Sequence, residues 1–173
     1  MRDPSRSAGL VLDTSVWINL LATGAMEAIL EALGVPWHAP EQVVGEILRH
    51  PVTGRSFVAD SHPLRQMGPQ VSVSALEGEE VKLFLDIVGA PAIEALGDGE
   101  AAAIAIAASR GLDLVIDDRK ARRILRERFS AVRTYWTVDL LQSSRMIAAL
   151  GRERAEDCFA KARHYGRMHV PRD

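Results

Sequence analysis

Residues 112–120 read Leu-Asp-Leu-Val-Ile-Asp-Asp-Arg-Lys, an apolar run that ends in two adjacent carboxylates and passes directly into a cationic stretch. A short, branched apolar run of this kind suits a strand buried on both faces. Residues 9–15, Gly-Leu-Val-Leu-Asp-Thr-Ser, repeat the pattern: an apolar run, then Asp13, then Val16, Ile18, Leu20 and Leu21 at helical spacing. Strands of this type, each followed by a helix, specify a parallel sheet covered by helices on both faces.

The rest of the chain reads outward from these two segments. Gly24 breaks the first helix, and Met26, Ile29, Leu30 and Leu33 carry a second one to Gly34. Residues 35–39 are expected as a strand, and Pro40 opens a helix running through Val43, Val44, Ile47 and Leu48 until Pro51 stops it. Residues 51–69, rich in Gly, Pro, Ser and His, read as an irregular connection. Val71, Val73 and Ala75 alternate with Ser72 and Ser74, as in a strand with one exposed face. Helices are expected over 77–88, over the Ala-rich stretch 97–110, over the basic stretch 120–129, and over 138–150 and 154–165.

The chain has 173 residues, 47% apolar and 25% charged, the composition of an ordinary globular protein. Its single cysteine, Cys158, excludes an internal disulfide, a Cys-rich zinc site and a Cys-x-x-Cys redox pair, so a reduced, cytoplasmic setting is expected. The longest small-apolar run, residues 101–108, is far shorter than a membrane span, and Asp13 interrupts the apolar run near the start. No membrane association or signal peptide is expected.

Lys and Arg number 21 against 23 Asp and Glu, a formal charge of −2, and that sum argues against a nucleic-acid partner. The sum conceals two opposed blocks. Residues 119–133 hold seven cations (Arg119, Lys120, Arg122, Arg123, Arg126, Arg128, Arg133) against Glu127, while residues 77–100 hold seven acids against Lys82. The cationic block begins beside the acidic pair, where it would offer phosphate contacts to a polyanion.

In open parallel sheets, ligands bind at the carboxyl ends of the strands. Asp13, Asp117 and Asp118 end two candidate strands there. Glu46 lies within the apolar stripe of its helix, Glu100 stands in the first turn of the Ala-rich helix, and Asp98 is placed to cap that helix. Each has a plain structural role open to it: a cap, a partner for the helix dipole, or a rim residue with a packed stem. Gathered at one edge, the acids would repel one another without a cation between them. Oxygen-only donors suit Mg²⁺ or Mn²⁺, and such a site serves phosphodiester hydrolysis.

The segments LVLDTSVWINLL (10–21), VVGEIL (43–48), LGDGEAAAIAIA (96–107) and LVIDDRKARRIL (114–125) resemble a PIN domain, and within that family the VapC-type toxin ribonucleases. The Gly-Glu-Ala helix start and the Ile-Asp-Asp-Arg-Lys turn are similar to those of one branch of PIN proteins. The resemblance implies an α/β/α sandwich with a central, mainly parallel sheet, over residues 8–142. A helical C-terminal extension, 143–173, is expected to pack on the same domain. The resemblance further implies Mg²⁺- or Mn²⁺-dependent endoribonuclease activity on RNA, a cognate antitoxin protein and a homodimer.

Carried onto this chain, the family's acids fall on Asp13, Glu46, Glu100 and the Asp117 and Asp118 pair, of which Asp117 directly ends the strand. Asp98 is a substitute candidate for Glu100. Thr14 and Ser15 match hydroxyl positions that support the first acid, and Arg119, Lys120, Arg122 and Arg123 are expected along the RNA backbone. A non-catalytic PIN module that binds RNA or protein is the alternative. Residues 97–102, Gly-Asp-Gly-Glu-Ala-Ala, also fit a dinucleotide-binding fingerprint, but that needs a strand before Gly97, where Pro91 falls. His38, His50, His62, His164 and His169 show no metal spacing, and Trp17, Trp37 and Trp136 read as core or interface residues.

Overall fold

A computed structural model describes residues 3–171. In chain order the elements are β1 (Leu10–Leu12), α1 (Thr14–Thr23), α2 (Met26–Leu33), β2 (Trp37–Pro40), α3 (Glu41–Glu46), α4 (Pro63–Gln66), β3 (Val71–Ser74) and α5 (Glu79–Val88). There follow α6 (Asp98–Arg110), β4 (Asp113–Val115), α7 (Arg119–Arg128), β5 (Thr134–Tyr135), α8 (Thr137–Leu141), α9 (Ser144–Leu150) and α10 (Arg152–Tyr165). The five strands form one sheet in the order β3-β2-β1-β4-β5, every pairing parallel. The expected α/β/α sandwich is therefore present, with a sheet that is parallel throughout.

Alternation along the central strand divides the core in two. Leu10 and Leu12 face a cluster with α1, α2, α3 and α8 to α10, whereas Val11 faces α5, α6 and α7 on the other side. Leu114 and Ile116 follow Val11, and Val115 follows its register partner Leu12. Because a parallel strand is covered on both faces, each of these side chains is fully buried. Ala101, Ala102, Ala103, Ala105 and Ala107 are also fully buried, and such small side chains let α6 pack closely against the sheet, α3 and α5. Trp17 and Trp37 meet edge to face in the first core, with ring centroids 6.5 Å apart.

Residues 143–171 join that same core: α10 lies along α1, with Ala155, Cys158, Ala162 and Met168 buried in it. No single described helix is long and apolar enough to cross a membrane. The opposed charge blocks meet in part, since Arg128 of α7 pairs with Asp86 of α5. Arg110 makes a two-pronged bond to the buried Glu80, through Nε at 2.6 Å and Nη2 at 3.0 Å.

Several elements differ from the sequence reading. The helix expected to reach Leu48 ends at Glu46, because the chain turns out into an excursion closed by an antiparallel bridge between Arg49 and Ser56. Leu48 is 66% exposed in consequence. Residues 51–69 are not wholly irregular: Pro63 starts the short α4, and the His62 ring accepts the Leu64 N–H while buried against the Ile47 carbonyl. The single helix expected over 138–150 is two, because the Ser143 hydroxyl accepts the Met146 N–H and starts α9 afresh. The strand β5 has only two residues, too few to show a period. Gly97, not Asp98, caps α6, and the described residues directly before it form no strand, so the dinucleotide fingerprint lacks its structural context.

Close packing of α6 has a measurable consequence. Ala103→Leu inserts three heavy atoms where no space exists, and it is expected to lower the unfolding free energy by about 1–3 kcal/mol. Urea denaturation followed by circular dichroism reads the loss; an unchanged midpoint would show that α6 has room.

Candidate active site

All five strands run the same way, so the residues that follow them share one edge of the sheet. Asp13 follows β1 and caps α1: its Oδ1 accepts the Val16 N–H at 2.9 Å, and the Ser15 hydroxyl reaches both carboxylate oxygens at 3.1 Å. The residue is only 1% exposed. Asp117, one residue beyond Ile116, accepts the Thr137 N–H at 2.8 Å, the Thr137 hydroxyl at 2.7 Å and the Asn19 side-chain amide at 2.9 Å. Asp118 is half-buried and caps α7, its Oδ1 accepting the Ala121 N–H at 2.7 Å.

Two further acids reach this edge from helix ends. Glu46, the last residue of α3, accepts the Gly99 N–H at 2.9 Å and the Thr14 hydroxyl, so one carboxylate ties together α3 and the starts of α1 and α6. Gly99 leaves room for this contact, because a Cβ there would push aside the Thr14 hydroxyl and the Glu46 carboxylate. The second glycine of the Gly-Asp-Gly-Glu stretch thus serves a carboxylate rather than a pyrophosphate. Glu100 accepts the Gly97 N–H at 3.2 Å, half of a capping box. Asp98 is exposed in the first turn of α6.

Burial raises the pKa of Asp13 well above the ordinary carboxylate range, and the neighbouring charges of Asp117 and Glu100 push it further. Glu100 is raised by burial, then by Asp118 and Glu46, with Lys120 opposing. Asp117 is raised by burial although the Thr137 bonds, His169 and Arg122 pull it down. These are carboxylates whose charge the protein's own groups do not fully balance.

The structure therefore gathers Asp13, Glu46, Glu100, Asp117 and Asp118 on one edge. Among the described residues, however, no three His, Cys, Asp or Glu side chains converge closely enough to hold an ion as they stand. Glu46 is drawn toward Gly99 and Thr14, and Asp117 toward Thr137 and Asn19. The donor chemistry nonetheless fits a hard divalent cation, since every candidate ligand is a carboxylate oxygen and the acids raise one another's pKa.

The cations divide into two pairs. Lys120 donates to the carbonyls of Ala95 at 2.6 Å and Ala92 at 3.2 Å, pinning the turn before α6. Arg122 donates to the carbonyls of Ile116 at 3.1 Å and Tyr135 at 2.9 Å and lies 3.9 Å above the Trp136 ring, bracing β4 against β5. Arg119 and Arg123 are exposed on α7. Asn19 and Thr137, which hold Asp117, escaped the sequence reading. The available signal was an amide within the apolar stripe of α1, which only burial turns into a demand for a partner.

A family model described as a PIN domain matches residues 9–151, from the start of the sheet through α9. The chain belongs to the PIN domain family. A comparison with curated proteins found no match. PIN domains are generally nucleases and typically use divalent metals. The match stops just short of α10, which packs along α1.

The raised acids give the metal-free protein a pH signature. Unfolded carboxylates titrate near pH 4, and Asp13, Glu100 and Asp117 titrate higher when folded. The folded state then holds extra protons above the unfolded value, and stability from these groups is lost as pH rises through their folded values. Asp13→Asn keeps a capping side chain and removes one such charge, so its stability relative to wild type is expected to increase from about pH 5 to about pH 8. Urea midpoints at the two pH values check this; a difference that does not change with pH would contradict it.

Proposed function

We propose that this PIN domain is a divalent-metal-dependent endoribonuclease that hydrolyses RNA phosphodiester bonds. The observation that carries the reading is the placement of Asp13, Glu46, Glu100 and Asp117, from four separate segments, along the carboxyl edge of a parallel sheet. Asp13, Glu46, Glu100 and Asp117 would hold Mg²⁺ or Mn²⁺, with Asp118 and Asp98 at the rim. When bound, the ion supplies an activated water and neutralises charge on the phosphate.

The chain's own groups perform the rest. Glu46 fixes the start of α6 relative to α1 and so sets where Glu100 stands. Thr137 and Asn19 keep the Asp117 carboxylate in one orientation. Exposed Arg119 and Arg123 bind phosphates of the flanking RNA without reading its bases. Lys120 tempers the charge on Glu100 from the turn it pins.

We further propose that the protein is the toxin of a VapBC-like pair, working in the cytoplasm as a homodimer. What supports this is the resemblance of its four motif segments to VapC-type ribonucleases. The cationic α7 offers an acidic antitoxin segment a surface to cover.

Cleavage of a mixed RNA substrate in Mn²⁺ is expected from the wild type and not in EDTA. Asp13→Asn is expected to lose more activity than the roughly 10–100-fold that removing an outer-shell partner typically causes. The product of a short reading frame immediately upstream should suppress the cleavage. Equal cleavage by wild type and Asp13→Asn would overturn the nuclease reading, and RNA binding without cutting would favour a non-catalytic module.

A further inference from the structure

The segment beyond the family match reaches back to the acids. After α10 the chain turns at Gly166, whose Cα lies against Asn19: a Cβ there would overlap Asn19 Oδ1 and stand 2.9 Å from Asn19 Cα and 2.8 Å from the Ala162 carbonyl. Arg167 then takes a left-handed conformation, with φ of 60°, and the Met168 N–H bonds to the Ala162 carbonyl, which buries Met168 in the core. His169 follows, its ring 5.6 Å from that of Trp136. The residue after Trp136 is Thr137, which gives Asp117 two of its three hydrogen bonds.

Asn19 is the point where these contacts converge. It is 1% exposed, its amide donates to Asp117 at 2.9 Å, and its Oδ1 has no hydrogen-bond partner among the described residues. A buried, unsatisfied acceptor is destabilising, and a residue that only filled space in α1 would be better apolar. The amide donor is what the site uses. The absence of a side chain at Gly166 lets the backbone of the turn pack directly against Asn19.

We propose that Asn19 is a positioning residue for Asp117 and that the C-terminal turn at Gly166 holds Asn19 in place, making residues 152–171 an integral wall of the nuclease site. This rests on the metal-dependent reading of the site. The tail acts through Asn19 on one side of Asp117 and through Trp136 and Thr137 on the other.

The test is Mn²⁺ titration of the full chain, read by calorimetry, alongside RNA cleavage kinetics and melting temperature. Asn19→Ala and Gly166→Ala are each expected to weaken Mn²⁺ binding about 10–100-fold and to lower kcat with little change in KM. Asn19→Ser, which keeps a donor, should lose less than Asn19→Ala. Leu30→Ala, a buried change in α2, should lower the melting temperature and leave Mn²⁺ affinity unchanged. The Asn19→Ala, Gly166→Ala double variant should lose less than the product of the single losses, because both act through one side chain.

Wild-type Mn²⁺ affinity in Asn19→Ala, or fully multiplicative losses in the double variant, would overturn the proposal. So would wild-type protein that binds no Mn²⁺. If Gly166→Ala does not fold, the comparison of Asn19→Ala with Asn19→Ser decides. Mn²⁺ binding without RNA cleavage would defeat the nuclease reading alone, and the Mn²⁺ affinities would still decide the role of Asn19.

Discussion

Asp13 and Asp117 are buried and Glu100 half-buried at one edge of a parallel sheet, and Asp13 feels the charge of both the others. Much of the surrounding structure answers that constraint. The starts of α1, α6 and α7 each turn backbone N–H groups toward a carboxylate, on Asp13, Glu46, Glu100 and Asp118, where the helix dipole also favours negative charge. Thr137 and Asn19 supply the remaining donors to Asp117. These interactions lower the cost of the buried charge without removing it, since burial still dominates each shift.

The sheet makes this arrangement possible. An all-parallel sheet sends every strand's carboxyl end to the same edge, so Asp13 and Asp117 become neighbours although 104 positions separate 13 from 117. The buried alanines of α6 then let that helix approach closely enough for Gly99 and Glu100 to reach the same place. Glu46 closes the arrangement by bridging α6 to α1, and the absence of a side chain at Gly99 leaves room for it. Packing and site are therefore one design: enlarging α6 or filling Gly99 disturbs the core and the acids together.

Much of this was legible in the sequence. The runs ending at Asp13 and Asp117 were apolar enough to show β1 and β4, and the acids stood out because each directly ends its run. The elements that escaped were those lacking a period. Two-residue β5 is too short, the break between α8 and α9 rests on the Ser143 hydroxyl, and the end of α3 depends on the distant bridge between Arg49 and Ser56. The residues that orient the acids were hidden for a different reason. Asn19 and Thr137 are common polar types, and Asn19 lies 98 positions from the carboxylate it serves. The near-neutral net charge was also misleading until divided, and the structure divides it further: Arg128 and Arg110 are paired with acids of α5, while Arg119 and Arg123 remain on the surface.

In the proposed nuclease, a cation is the missing partner of these carboxylates. A crystal structure of the protein soaked in Mn²⁺, with anomalous scattering locating the ion, tests that most directly. The ion is expected at the carboxyl edge of the sheet, in contact with Asp13 and at least one of Glu100 and Asp117. Full Mn²⁺ exposure with no anomalous peak at that edge, and the carboxylates unmoved, would contradict it.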